Sequence, residues 1–88
     1  MNSVATAFGK NLARHRRRSG LSQEALAFRA SVHRTEIGLL ERGERLPRID
    51  TTIKLAAALG VAPEALLAGI AWSPGAVTAG RFTASVAE

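Results

Sequence analysis

Apolar residues recur at helical spacing along most of the chain. Phe8, Leu12 and His15 fall at i, i+4 and i+7 and predict a first helix from about Ser3 to Arg18, ended by Gly20. Ser22 stands where an N-cap belongs, and QEALAFRA after it predicts a short second helix burying Leu26, Ala27 and Ala30. Ser31 and Val32 interrupt the pattern. A third helix is expected over about Arg34–Arg42, closed by Gly43, and ERLPR reads as a loop. A fourth, about Ile49 to Leu59, is expected to bury Ile49, Ile53, Leu55, Ala56 and Leu59 before Gly60 stops it. Pro63 in a first turn opens a fifth, which ends near Gly69.

The tail AWSPGAVTAGRFTASVAE follows a different period. SPG is a turn signal, and Phe82, Ala84 and Val86 alternate with Arg81, Thr83 and Ser85 as a strand requires. A lone strand is unstable in water, so three outcomes stay open: pairing back on Trp72, pairing with a second subunit, or disorder. The expected architecture is an all-α bundle of five short helices over residues 1–70, with 71–88 as a strand-like tail or dimerisation arm.

The break at Ser31 has a physical rationale. Two helices joined by a three- or four-residue turn and crossing steeply form a helix-turn-helix. Ala27 is small enough for a close crossing, Val32 is an apolar plug for the turn, and Ile37 and Leu40, three apart, anchor the inner face of the next helix. Arg34, Thr35, Gly38 and Leu39 are then expected to point outward. An outward face at the start of such a second helix is what enters a major groove.

Charge sharpens this picture. Residues 1–48 hold ten Lys and Arg against four acids, net +6, whereas residues 49–88 carry net −1. An excess concentrated in one half, with a pI of about 11.4, is an electrostatic footprint for a polyanion. RHRRR on its own also reads as a solvated helix face. The absence of cysteine excludes a disulfide framework and a cysteine-ligated zinc site, and His15 and His33 are too few for a metal cage. No apolar run approaches the ~20 residues of a membrane span. MNSVATAFGKNLARHRRR is Arg-rich and acid-free like a mitochondrial presequence, but it also fits the first helix of the domain, which is the reading preferred, so a cytoplasmic location is the default. No Ser/His/acid set, paired carboxylates or phosphate-cradling loop points to an enzyme, and no cofactor is expected.

LSQEALAFRASVHRTEIGLLERGERLPRIDTTIKLAAALGV (Leu21 to Val61) resembles the Cro/cI-type, or Xre-type, helix-turn-helix of phage repressors and bacterial regulators. The likeness runs back through FGKNLARHRRRSG and forward through APEALLAGI, over about residues 8–70. It implies a repressor-like bundle that reads duplex DNA. It assigns Gln23 to a phosphate and to bracing the start of the recognition helix, and Arg34, Thr35 and Leu39 to base edges. Arg42, Arg45 and Arg48 match phosphate or minor-groove contacts, and Arg16 with Glu41 matches a partly buried ion pair between the first and third helices. The chemistry agrees: Arg34 can bond guanine O6 and N7 together, a contact worth about 1–3 kcal/mol of discrimination. Thr35 offers a hydroxyl and a methyl, Leu39 can pack on a thymine methyl, and Glu36 can accept from cytosine N4.

Plainer readings stand beside these. Gln23 also reads as a solvated first-turn residue, Arg42 as a cation favoured at a helix C-terminus, Glu36 as a counter-charge for nearby arginines, and His15 as a core or boundary histidine. The chain also departs from the family pattern. Ser31 replaces a frequent glycine, His33 replaces a better N-cap and becomes a candidate phosphate contact, and Arg48 replaces an N-cap of the fourth helix. Thr52 is polar where an apolar residue is expected, and Gly38 costs about 1 kcal/mol against alanine in a helix.

The functional expectation is a sequence-specific regulator binding a palindromic site as a homodimer, with the dimer surface at the fifth helix, Trp72 and the tail. The alternatives are the antitoxin of a toxin–antitoxin pair, with the tail taking a protein partner, and a coactivator-like or RNA-associated adaptor.

Overall fold

The computed structural model describes residues 3–75 and 79–86. Met1 and Asn2 of the presequence-like stretch, and residues 76–78 and 87–88 of the tail, lie outside the described residues. Four α-helices come first: α1 (Ser3–Arg18), α2 (Gln23–Ala30), α3 (Arg34–Glu41) and α4 (Ile49–Leu59). A 3-10 helix (Pro63–Leu67) and two strands, β1 (Ile70–Ser73) and β2 (Arg81–Ala84), complete the order.

The local chemistry accounts for the helix limits. Ser22 Oγ accepts from the Ala25 N–H at 3.0 Å and caps α2. At the other end Ser31 is left-handed (φ 56, ψ 44), and the N–H of Val32 returns to Ala27 O at 3.0 Å. Glycine makes this turn without a Cβ conflict, so Ser31 carries strain on the order of 1 kcal/mol.

The side chains of Phe8, Leu12, Leu26, Ile37, Leu40, Leu55 and Leu66 are fully buried and meet between the helices. At the α1–α3 crossing Gly9 lies against backbone: a Cβ there would stand 2.3 Å from Leu40 O and 2.7 Å from Glu41 O. Asn11 is also fully buried, and its Nδ2 donates to Leu66 O at 3.0 Å and to Ala68 O at 2.9 Å. One side chain thus satisfies two carbonyls at the end of the 3-10 helix, where the backbone has no helical partner for them.

Three expectations need correction. The fifth helix is a five-residue 3-10 helix, because left-handed Gly69 (φ 79) turns the chain into β1 directly after it. The fold is therefore four α-helices with a small hairpin rather than five α-helices. In α4, Ile49 and Ile53 are 82% and 52% exposed, while Thr52 is buried. The inward stripe runs through Thr52, Leu55 and Ala56, so the two isoleucines fall on the flank. Thr52 is tolerated inside because its hydroxyl donates to Arg48 O at 2.9 Å.

The tail takes the first of its three open outcomes. β1 and β2 pair antiparallel, with Ile70 opposite Ala84 and Trp72 opposite Phe82. The Trp72 and Phe82 rings meet edge to face, 4.9 Å between centroids at 66°. Ile70 packs against the core, and the Ser85 N–H donates to Gly69 O at 2.8 Å.

His15 is half-buried on α1. Burial lowers its pKa from the ordinary value, as do the charges of Arg14 and Arg18, against a backbone hydrogen bond at Ala65.

Two outcomes follow from this packing. Gly9→Ala gains helix propensity but forces a methyl into backbone, so a net loss of about 1–3 kcal/mol is expected in urea unfolding. An unchanged midpoint would mean that α1 and α3 separate freely. For His15, a lowered folded pKa means that the unfolded chain binds more protons below the ordinary histidine value. Its contribution is complete above about pH 6.5 and lost as the pH falls through that value toward the folded one. Melting temperature should therefore fall less on acidification in His15→Gln than in the unaltered chain. Equal slopes for the two would contradict the assignment.

Candidate nucleic-acid interface

The third helix is wedged from behind. Ile37 and Leu40 are fully buried, while Arg34 and Thr35 in its first turn are exposed. His33 precedes them as an extended N-cap (φ −71, ψ 142), exposed and with no side-chain cap bond. Leu39 is half-buried and borders the same face.

Gly38, four residues from both Arg34 and Arg42, lies on that outward face as expected, but the Arg42 guanidinium covers it. It is buried, and a Cβ on it would stand 2.9 Å from Arg42 Nη1. The missing side chain makes room for the Arg42 guanidinium to fold back along the helix. Arg42 itself is the C-cap (φ −83, ψ −2), one residue beyond the helix it was expected to end.

Glu41 gathers partners from two other helices. Arg16 Nε and Nη2 reach Glu41 Oε2 and Oε1 at 2.6 and 3.0 Å, and the two side chains are 12% and 7% exposed. Arg16 Nη1 also donates to Leu21 O at 2.9 Å. The hydrogen bond to Glu41 raises the Arg16 pKa from its ordinary value, so the guanidinium stays charged. Gln23 Nε2 donates to Glu41 Oε1 at 3.0 Å. Gln23 therefore braces the end of α3, whereas bracing at its start was expected.

Each of the three arginines matched to phosphate or minor-groove contacts holds a carboxylate. Arg45 Nη1 bonds Glu36 and Arg42 Nε bonds Glu44, both at 2.5 Å. Arg48 reaches both oxygens of Asp50, at 3.1 and 3.2 Å. Partial loss of hydration, the largest effect on Asp50, works upward. The Thr51 N–H, Arg48 and Lys54 outweigh it and hold the carboxyl below its ordinary value. Arg34 has no carboxylate partner among the described residues. Glu44 and Asp50 were overlooked in the sequence; their signal is an acid two positions after Arg42 and after Arg48 in a loop-rich stretch.

A second feature was also missed. Val4, Leu46, Pro47, Ile49, Ile53 and Leu67 line an apolar groove of ≈ 500 Å³, with Phe8 at its floor. Among the described residues no group of three or more His, Cys, Asp or Glu is placed to hold a metal ion, and no helix is long and apolar enough to cross a membrane.

Comparison with known proteins fits this geometry. A family model described as a helix-turn-helix domain matches residues 7–68. The control protein C.BamHI of Bacillus amyloliquefaciens is 42% identical over 67 residues, covering 75% of this chain and 83% of that protein. The crystal structure of the restriction-modification controller protein C.AhdI from Aeromonas hydrophila superposes with a TM-score of 0.69 at 40% identity, over 70% of this chain and 94% of that one. The P22 c2 repressor, solved in complex with a synthetic operator, superposes with a TM-score of 0.66 at 29% identity, over 70% of this chain and 94% of that one. The chain belongs to the helix-turn-helix family, among the Xre-type DNA-binding transcriptional regulators.

Proposed function

We propose that the chain is a sequence-specific regulator that binds a palindromic duplex site as a homodimer in the cytoplasm. The observation that carries this reading is the tip of α3: Arg34 and Thr35 exposed in front, Ile37 and Leu40 sealed behind. In the major groove Arg34 takes a guanine edge, Thr35 and Leu39 take hydroxyl and methyl contacts, and Glu36 accepts from cytosine. Gln23, through its remaining N–H, and His33, Arg42, Arg45 and Arg48 hold the phosphates and set the register. The relatives C.BamHI and C.AhdI support the more specific reading of a small controller-type regulator.

Dimerisation follows from information content. One recognition helix reads about four or five base pairs, too few to mark a site in a genome. The surface we assign is the apolar groove, which keeps Leu67 of the fifth helix and sets Trp72 and the tail aside. Ile49, Ile53, Leu46 and Leu67 are 82%, 52%, 51% and 45% exposed there, a contiguous patch that a monomer rarely leaves in water. A second copy occupies it in a two-fold, self-complementary contact. Arg48, immediately before Ile49, then lies beside the symmetry axis along the duplex.

Selection from random duplexes should enrich a palindrome with half-sites about one helical turn apart; a pool without consensus would refute the reading. Arg34→Ala should cost about 1–3 kcal/mol on the enriched site and relax preference at one base pair per half-site. Ile49→Glu with Ile53→Glu should give a folded monomer by sedimentation, with affinity for the palindrome lost. A variant that stays dimeric would move the interface elsewhere.

A further inference from the structure

The base-reading and phosphate-holding cations assigned above are treated differently by the folded chain. Arg42, Arg45 and Arg48 each grip a carboxylate, whereas Arg34 has none among the described residues. The acids are few and specifically placed. Residues 1–48 contain four, and two of them, Glu36 and Glu44, engage interface arginines; Asp50 adds a third just beyond. Stability does not explain the two most exposed of these pairs. The Arg42–Glu44 side chains are 59% and 52% exposed and the Arg48–Asp50 side chains 82% and 58%, a range in which ion pairs contribute little to folding.

We propose that Glu36, Glu44 and Asp50 are built-in competitors of DNA phosphate, which mask Arg45, Arg42 and Arg48 and hold down attachment to DNA of arbitrary sequence. The proposal rests on the DNA-binding reading above. Sequence-independent binding comes almost wholly from cations neutralising phosphates and releasing counterions. A guanidinium already facing a carboxylate must exchange it for a phosphate at contact distance. The displaced carboxylate then sits beside the duplex, where its charge offsets part of the gain. A loosely docked chain, held through screened charge, lacks the close approach that drives the exchange. A chain docked on its own site achieves it, and Arg34 enters the groove with no competitor to displace. Glu44 and Asp50 thus act as specificity determinants without touching a base, and Glu36 adds the masking of Arg45 to its contact with cytosine.

The test compares the unaltered chain with the Glu44→Gln/Asp50→Asn double variant. Both positions are exposed, and asparagine at 50 keeps the oxygen that accepts from the Thr51 N–H at 2.9 Å. Glu64→Gln, a neutralised acid in the first turn of the 3-10 helix and outside these pairs, controls for net charge, its gain being compared per charge removed, one here against two in the double variant. Affinities for a random-sequence duplex and for the selected palindrome are measured across a salt series. The double variant is expected to bind random duplex about three- to tenfold tighter near 0.1 M salt, with a log–log salt slope steeper by up to about 0.9 per neutralised acid. The gain on the palindrome is expected to be smaller, so discrimination falls. An equal gain on both duplexes, the same gain in Glu64→Gln, or no gain overturns masking. Weaker binding also overturns it, by showing that the carboxylates position the arginines. Loss of the DNA-binding reading looks different: no form of the chain retains any duplex, and both conclusions fall together.

Discussion

The placement of α3 rests on what converges at its last residue. Glu41 takes a two-point contact from Arg16 on α1 and a hydrogen bond from Gln23 on α2, while its backbone lies under Gly9. A nearly buried ion pair is not in itself a large stabiliser, because desolvation offsets much of the Coulomb gain. Its effect is on geometry. Removing one partner strands a poorly solvated charge, so no alternative packing that separates Arg16 from Glu41 competes well. The helix is held at its far end by polar contacts and along its back by Ile37 and Leu40, which leaves the front of its first turn projecting.

What was legible in the sequence was local. The limits of α1, α2 and α4 follow from apolar spacing, from Ser22 as a cap and from left-handed residues at the ends, and all of these act within a few positions. What failed depended on partners far along the chain. Ile49 and Ile53 look like core residues by period alone; only the neighbours of α4 rotate its inward stripe onto Thr52, Leu55 and Ala56. Asn11 occupies a core position because two carbonyls more than fifty residues away need donors. Gly9 in mid-helix becomes intelligible only once the α3 backbone is known to pass over it. The fate of the tail was undecidable for the same reason, since alternation marks a strand without naming its partner.

The candidate site divides along the same line. The exposed pair Arg34 and Thr35 could be read from the sequence because their neighbours Ile37 and Leu40 declare which side is inside. The electrostatics could not. A formal excess of +6 over residues 1–48 counts every arginine alike, whereas the folded chain binds several of them to its own carboxylates. Net charge describes long-range attraction; the pairing decides what each cation can do on contact.

The turn between α2 and α3 is closed by main-chain atoms: the N–H groups of Ser31 and Val32 return to Phe28 and Ala27 carbonyls. The side chains of Arg34 and Thr35 take no part in that closure and bond to nothing else among the described residues. The scaffold and the exposed tip of α3 are therefore mechanically independent. On the reading proposed above, new residues at these two positions can rewrite the recognised DNA text while the frame that presents them stays as it is, so a lineage of such chains can diversify its targets without passing through unfolded intermediates.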